Sequence, residues 1–460
     1  MLDDASELPA YSPPEDSWSA PPPPTQRELV THTFPLSTKQ GKPWAELVVL
    51  SKAPTSKSLP RLIEGERVSG WVNIDLPEEM PMKSVTVEVM GELISDANAR
   101  YIFAEDGRVL WAAAPAQSEG RSRAPSSLFN RGKSSLKGCH KWPFTLELPR
   151  TVVLPDGKGP ARMFTLPCSF STRYVNVTIL YRVVVTIDHG SVLKADRIIG
   201  TNCSYTAKTQ PGPPSIARQL AYQEHSPLVG PDGDPDGWHT LAPIIVRGTA
   251  FNTRKVEINY TLSLANPLSY TRGSIVPLHL KVECPDMQVL FLVCAPNAPV
   301  IRLMRMVSSG YDPAGGNFSS GPKAQRKIPL ASVKTISDVT PLRATEHVQR
   351  ASWWSLPTYE DSMACTSREL QGEIHLPGNL FTTSHLGRYD FVYEVAMYTP
   401  EVAGFTPSSS GKLQTVPVDI CAMYAEGPRP MAYSPPVYDQ IVRVYEESGQ
   451  QPPNMSGFLQ

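Results

Sequence analysis

A chain of 460 residues with 41% hydrophobic residues is long enough for two or three domains and apolar enough to build cores, which excludes a wholly disordered polymer. Its formal net charge of −1 leaves no polybasic stripe to meet a phosphate backbone, so nucleic acid is not an expected partner. The longest apolar runs, such as Val289-Leu290-Phe291-Leu292-Val293, fall far short of the ~20 residues that span a bilayer, and the acidic start Met1-Leu2-Asp3-Asp4 has no signal-peptide character, so a cytoplasmic location is expected.

Taken in chain order, residues 1–33 are rich in Pro, Ser and acid and predict a disordered tail, because such a segment buries too little apolar surface to offset the entropy of ordering. Residues 34–205 change texture to period-two alternation, as in Trp44-Ala45-Glu46-Leu47-Val48-Val49-Leu50, Val68 to Leu76, Val85 to Leu93 and Val175 to Ile187. These runs predict an antiparallel β-sandwich, interrupted by a Ser/Gly/Arg-rich loop at about 112–136. Residues 206–240, with Pro213-Pro214 and Pro231-Asp232-Gly233-Asp234-Pro235, have the composition of a linker. A second strand series fills 241–424, with a predicted flexible insertion at about 308–368, and residues 425–460 are again Pro-rich. The expected fold class is therefore all-β, with two tandem immunoglobulin-like sandwiches, long loop insertions and disordered tails.

The last tail carries Pro435-Pro436-Val437-Tyr438, and two looser relatives stand elsewhere, Leu8-Pro9-Ala10-Tyr11 and Leu356-Pro357-Thr358-Tyr359. A proline pair pre-sets the polyproline II helix that slots between two aromatic side chains of a small partner domain, and the tyrosine two places on fills a second pocket. That is how a PPxY ligand engages a WW domain, the module by which HECT-class ubiquitin ligases are recruited. With 47 Pro and 17 Tyr in the chain, random order gives roughly 0.3 matches to the pattern, against the three found. Pro435, Pro436 and Tyr438 are thus the first candidate WW-binding residues, and Leu8, Pro9, Tyr11, Leu356, Pro357 and Tyr359 the second tier. Three weak sites on one chain would gain by avidity.

Several landmarks resemble the arrestin family, in particular its α-arrestin branch. Glu64-Gly65-Glu66-Arg67-Val68-Ser69-Gly70 is similar to the GE.V.G turn of arrestin N-domains, and Trp142-Pro143-Phe144 with Leu146-Glu147-Leu148-Pro149 resembles their FPF…LP strand. Leu166-Pro167-Cys168-Ser169-Phe170 before Ile179-Leu180-Tyr181-Arg182-Val183 resembles LP.SF…I.Y.V, and Tyr270-Thr271-Arg272-Gly273-Ser274-Ile275 resembles the Y..GE.I turn of the C-domain, with Ser274 where Glu is usual. The resemblance covers about 34–205 and 241–424 and departs from the family pattern in the long segment at 206–240 and the insertion at 308–368. It implies an adaptor that binds cytosolic regions of membrane proteins, recruits a WW-containing ubiquitin ligase through motifs placed like Pro435-Pro436-Val437-Tyr438, and promotes cargo ubiquitination and endocytosis from plasma membrane or endosomes. The alternative within the fold is a sorting scaffold of the retromer-subunit kind that works without a ligase.

Enzyme chemistry is not legible. The nine histidines are scattered, no His-Glu-x-x-His or Gly-x-Ser-x-Gly occurs, and the seven cysteines form no CxxC pair, so no catalytic residue, metal or cofactor is expected and the thiols should be free and mostly buried. Trp353-Trp354 is expected to pack on its domain. The basic set Arg121, Arg123, Arg131, Lys133, Lys137 and Lys141 is the candidate contact for acidic cargo or an anionic membrane surface, against the plain alternative of solvated loop charges.

Overall fold

The computed structural model describes residues 29–38, 40–94, 100–113, 135–155, 160–172, 177–190, 195–309, 342–355, 366–387 and 389–434. Strands dominate, and the architecture is an all-β sandwich built from several multi-stranded sheets. Between residues 30 and 206 a four-stranded antiparallel sheet runs in the order Val30–Ser37, Pro43–Ser51, Val68–Pro81, Ser135–Leu146. A second sheet runs Arg61–Ile63, Arg197–Thr206, Val177–Asp188, Ser84–Ile94, Arg100–Ala112, with Phe170–Thr172 added beside Val177–Asp188. Alternation along each strand sends one set of side chains inward. Leu47, Val49, Val72 and Ile74 from the first sheet and Val85, Val87, Val89, Tyr181, Val183 and Val185 from the second are all buried in one apolar cluster.

Residues 238–421 repeat this plan. One sheet runs Ser352–Ser355, Ser367–His375, Ile275–Glu283, Arg254–Ala265, Ile244–Ala250, Phe405–Pro407, and the other Ser269–Thr271, Lys412–Cys421, Tyr389–Tyr398, Val300–Ser309, Leu342–Arg350. The repetition extends to details. In each half a three-residue strand lies parallel to the last long strand, Arg61–Ile63 beside Arg197–Thr206 and Ser269–Thr271 beside Lys412–Cys421. A glycine in the left-handed region then turns the chain into a long strand, Gly65 at φ 72° ahead of Val68–Pro81 and Gly273 at φ 77° ahead of Ile275–Glu283. On the neighbouring strand a buried tyrosine donates its hydroxyl to a carbonyl before it, Tyr181 to Pro167 O at 2.6 Å and Tyr393 to Phe381 O at 2.8 Å. These glycines and Tyr181 are the residues that carried the family landmarks, and their role in the fold is to make turns and corners. Gly65→Ala is expected to cost about 1–2 kcal/mol, the left-handed penalty for a residue with a Cβ, read as a lower denaturant midpoint at constant slope.

Among the described residues no strand pairing crosses between the two halves. They meet through an aromatic seam. Phe170 of the first half lies 4.8 Å from Phe381 and 4.7 Å from Phe391, centroid to centroid, and 6.1 Å from Tyr389.

Four sequence expectations need correction. The tail predicted over 1–33 gives way to a strand at Val30, because His32 is buried and bonded to Ser51 Oγ at 2.9 Å across the first hairpin. The segment 206–240 is not a bare linker: it holds the helix Ile216–Glu224, a 3-10 turn at Pro235–Gly237 and the strand Trp238–Thr240 paired to Arg254–Ala265. The insertion at 308–368 is partly sheet, since Leu342–Arg350 pairs with Val300–Ser309 and Ser352–Ser355 pairs with Ser367–His375. An Arg305–Glu346 ion pair joins the first of these ladders. Trp353 is fully buried and lies over Gly372, where a Cβ would come within 2.5 Å of its ring. Finally, residues 425–434 of the predicted Pro-rich tail are laid against the body. The run Val289 to Val293, too short to span a bilayer, belongs to the helix Met287–Val293, capped by Asp286 Oδ1 accepting from Val289 N at 3.2 Å.

Candidate functional site

All three tetrapeptides, with Leu8, Pro9, Tyr11, Leu356, Pro357, Tyr359, Pro435, Pro436 and Tyr438, lie outside the described residues, as do Arg121, Arg123, Arg131 and Lys133 of the basic set. Lys137 and Lys141 are described. Both are exposed on one face of Ser135–Leu146, the edge strand of the four-stranded sheet, and the Lys141 ammonium sits 4.4 Å from the centroid of the Trp71 ring. Between them Cys139 donates to Asp75 Oδ1 at 3.1 Å, and that carboxylate raises the thiol's pKa, so the exposed cysteine is held in its less nucleophilic form.

The best-built polar site among the described residues is the one that seats the chain just before the Pro435 motif. Its base is the strand Ser367–His375, whose inward residues are Leu370, Gly372 and Ile374, leaving Gln371, Glu373 and His375 on the opposite face. That face is covered. Gln371 Nε2 donates to Leu228 O at 3.3 Å, and Glu373, on a central stretch of sheet, is only 1% exposed. A carboxylate removed from water must be satisfied within the protein. Glu373 Oε1 accepts the backbone N–H of Tyr433 at 2.6 Å, its Oε2 accepts that of Ser434 at 3.2 Å, and His375 Nε2 lies 3.4 Å from Oε2. His375 Nε2 is also 3.0 Å from Ser434 Oγ. Pro428 and Pro430 bring no N–H to this stretch, so the donors at Tyr433 and Ser434 are the ones that lock it.

The helix Ile216–Glu224 forms the adjoining wall. Ser215 caps it, accepting from Arg218 N at 3.2 Å, and His225 ends it in the left-handed conformation at φ 55°. The Tyr433 ring stacks on Tyr222 at 6.4 Å and its hydroxyl donates to Ala221 O at 3.3 Å. Burial raises the pKa of both phenols, Tyr222 the more strongly, so both remain neutral donors through the physiological range. The tail is tied further back by Gln210 Nε2 to Tyr424 O at 2.9 Å and by Thr209 Oγ1 accepting from Ala422 N at 3.0 Å. The helix itself is anchored by Arg218, 3% exposed, whose Nη1 donates to Asn266 O at 2.7 Å and Nη2 to Gly237 O at 2.5 Å, with the guanidinium 4.8 Å over Trp238.

Sequence reading missed this seat. The strand falls within the second strand series expected over 241–424, but the signal, three polar residues at alternate positions of a strand buried on its other face, is equally the signature of an ordinary solvent face. Elsewhere, an open groove of about 890 Å³ near Asn259 contains Arg254 paired with Asp286 at 2.6 Å and Glu283 accepting from Asn259 Nδ2 at 2.9 Å. The charged groups Arg254 and Glu283 are paired in this way, while the buried Asn259 Oδ1 has no hydrogen-bond partner. Among the described residues no group of His, Cys, Asp and Glu is placed to hold a metal ion, and no helix is long and apolar enough to cross a membrane. No protein-family model matches the chain, and no curated protein matches it.

Proposed function

We propose that the chain is a non-enzymatic trafficking adaptor of the arrestin kind, whose β-sandwich body binds cytosolic regions of membrane proteins and whose Pro435-Pro436-Val437-Tyr438 motif captures WW domains of a HECT-class ubiquitin ligase. The observation that carries the reading is the motif itself, which begins one residue after a tail seated on an all-β body. Such a body supplies broad rigid surface, and a proline-rich ligand beyond it supplies recruitment at low ordering cost. The repeated plan of the two halves, with Gly65 and Gly273 at matching turns, supports the arrestin comparison. Lys137 and Lys141 offer one exposed positive strip toward an acidic cargo tail or an anionic membrane.

The test is calorimetric titration of a tandem WW fragment into the full chain and into a Tyr11/Tyr359/Tyr438 triple alanine variant. Micromolar or tighter binding is expected for the first and none for the second, with Tyr438→Ala the most damaging single change. Binding by neither would move the protein to the ligase-independent sorting role.

A further inference from the structure

The Glu373 seat ends where the WW ligand begins, and that adjacency has a steric consequence. Tyr433 and Ser434 are held by their backbone N–H groups on one buried carboxylate, and Ser434 Oγ is held again by His375. Ser434 is joined directly to Pro435, the first residue of the motif, so no spacer separates the seated stretch from the WW ligand. A WW domain must close aromatic side chains around the proline pair and pocket the tyrosine, which places its own body over the residues just ahead of the motif. Those residues are half-buried between the helix Ile216–Glu224 and the strand Ser367–His375. The seat and the WW domain therefore compete for the same short stretch of chain.

We propose that the Glu373 seat is an autoinhibitory clamp: it holds the tail through Tyr433 and Ser434, and WW capture of Pro435-Pro436-Val437-Tyr438 requires the tail to leave it. This rests on the WW reading above. The clamp's partners are unusually well defined. Both backbone donors go to one carboxylate that is 1% exposed, the Tyr433 ring lies on Tyr222, and its hydroxyl reaches the helix's Ala221 carbonyl. A ligand that binds only the released form has its apparent affinity reduced by the released fraction, so anything that opens the seat strengthens ligase binding without touching the motif.

The experiment uses the full chain in a Tyr11→Ala, Tyr359→Ala background, which leaves Pro435-Pro436-Val437-Tyr438 as its sole candidate site, titrated with one WW domain beside a synthetic peptide of residues 424–446. The peptide is expected to bind roughly three- to ten-fold more tightly than the full chain, and Glu373→Gln is expected to bring the chain up to the peptide's affinity. Glutamine keeps the shape but turns one acceptor into an NH2 that faces a backbone donor. Tyr433→Ala, a change in the tail that leaves the sheet's residues in place, should do the same in the chain while leaving the corresponding variant peptide unchanged. Amide hydrogen exchange at Tyr433 and Ser434 should be slow in the parent and faster in both variants. If chain and peptide bind equally, or Glu373→Gln leaves affinity unchanged, the clamp is wrong while the WW reading survives. If the peptide does not bind, the WW reading itself fails and the clamp falls with it.

Discussion

Arg218→Ala is expected to lower the unfolding free energy by about 3–4 kcal/mol, measured as a shift of the urea midpoint at constant slope. Arg218 carries a full charge into a site where it is 3% exposed, and burial lowers its pKa from the ordinary guanidinium value. What repays that desolvation is geometry. The planar fork reaches Asn266 O and Gly237 O together, lies over the Trp238 ring, and has Asp234 nearby to favour its charge. Truncation leaves the Asn266 carbonyl, turned into this site, without that donor and opens a void against Trp238. Arg218→Lys is expected to rescue little, since one ammonium on a flexible stem does not reproduce the two-pronged contact. The functional readout separates this from a local packing defect: because the helix Ile216–Glu224 carries Tyr222 and Ala221, both variants should speed amide exchange at Tyr433 and Ser434. Unchanged stability in Arg218→Ala would mean that the charge's desolvation had cancelled its hydrogen bonds.

The same residue explains where sequence reading stopped. Strands were legible because one buried face imposes period two, and runs such as Val85 to Leu93 carry it without interruption. The helix Ile216–Glu224 inverts the expected amphipathic rule. Its buried residues are Arg218, Ala221 and Tyr222, while Ile216 is 78% and Leu220 47% exposed, so its two large aliphatic side chains mark the wrong face. Composition around it, dense in Pro, Gly and Asp, pointed to a linker, and only the tertiary contacts of Arg218 and Tyr222 select a helix. Leu342–Arg350 escaped for a related reason: it is an edge strand with no fully buried side chain among its described positions, and Ala344 and Val348, which it lays against the core, are only partly buried. The motif at Pro435 was legible because its chemistry is local. The Glu373 seat was not, because it is assembled from residues more than fifty positions apart, and a carboxylate becomes a clamp only when a distant backbone supplies its donors.

Phe170→Ala is expected to cost about 3–5 kcal/mol, the range for emptying a buried aromatic site, and to divide a single calorimetric unfolding transition into two. Phe170 is 6% exposed and belongs by sequence and strand pairing to the first half, yet its ring packs edge-on against Phe381 and Phe391 of the second. Phe391 packs edge-on against Tyr393, whose hydroxyl donates to Phe381 O, so the seam reaches the tyrosine corner of the second half. Removing the ring leaves the polar contact of Cys168 Sγ with Thr382 Oγ1 at 3.3 Å and the approach of Ser384–Leu386 to Ala161–Thr165, neither of which replaces the buried aromatic packing. A double-mutant cycle with Phe381→Ala isolates the ring–ring contribution, expected at about 0.5–1.5 kcal/mol beyond the buried area. A single transition with unchanged midpoint in Phe170→Ala would assign the coupling elsewhere, to the segment 206–240 and the tail that together lie along the second half's outer face. In that case Arg218→Ala, not Phe170→Ala, should be the variant that splits the transition.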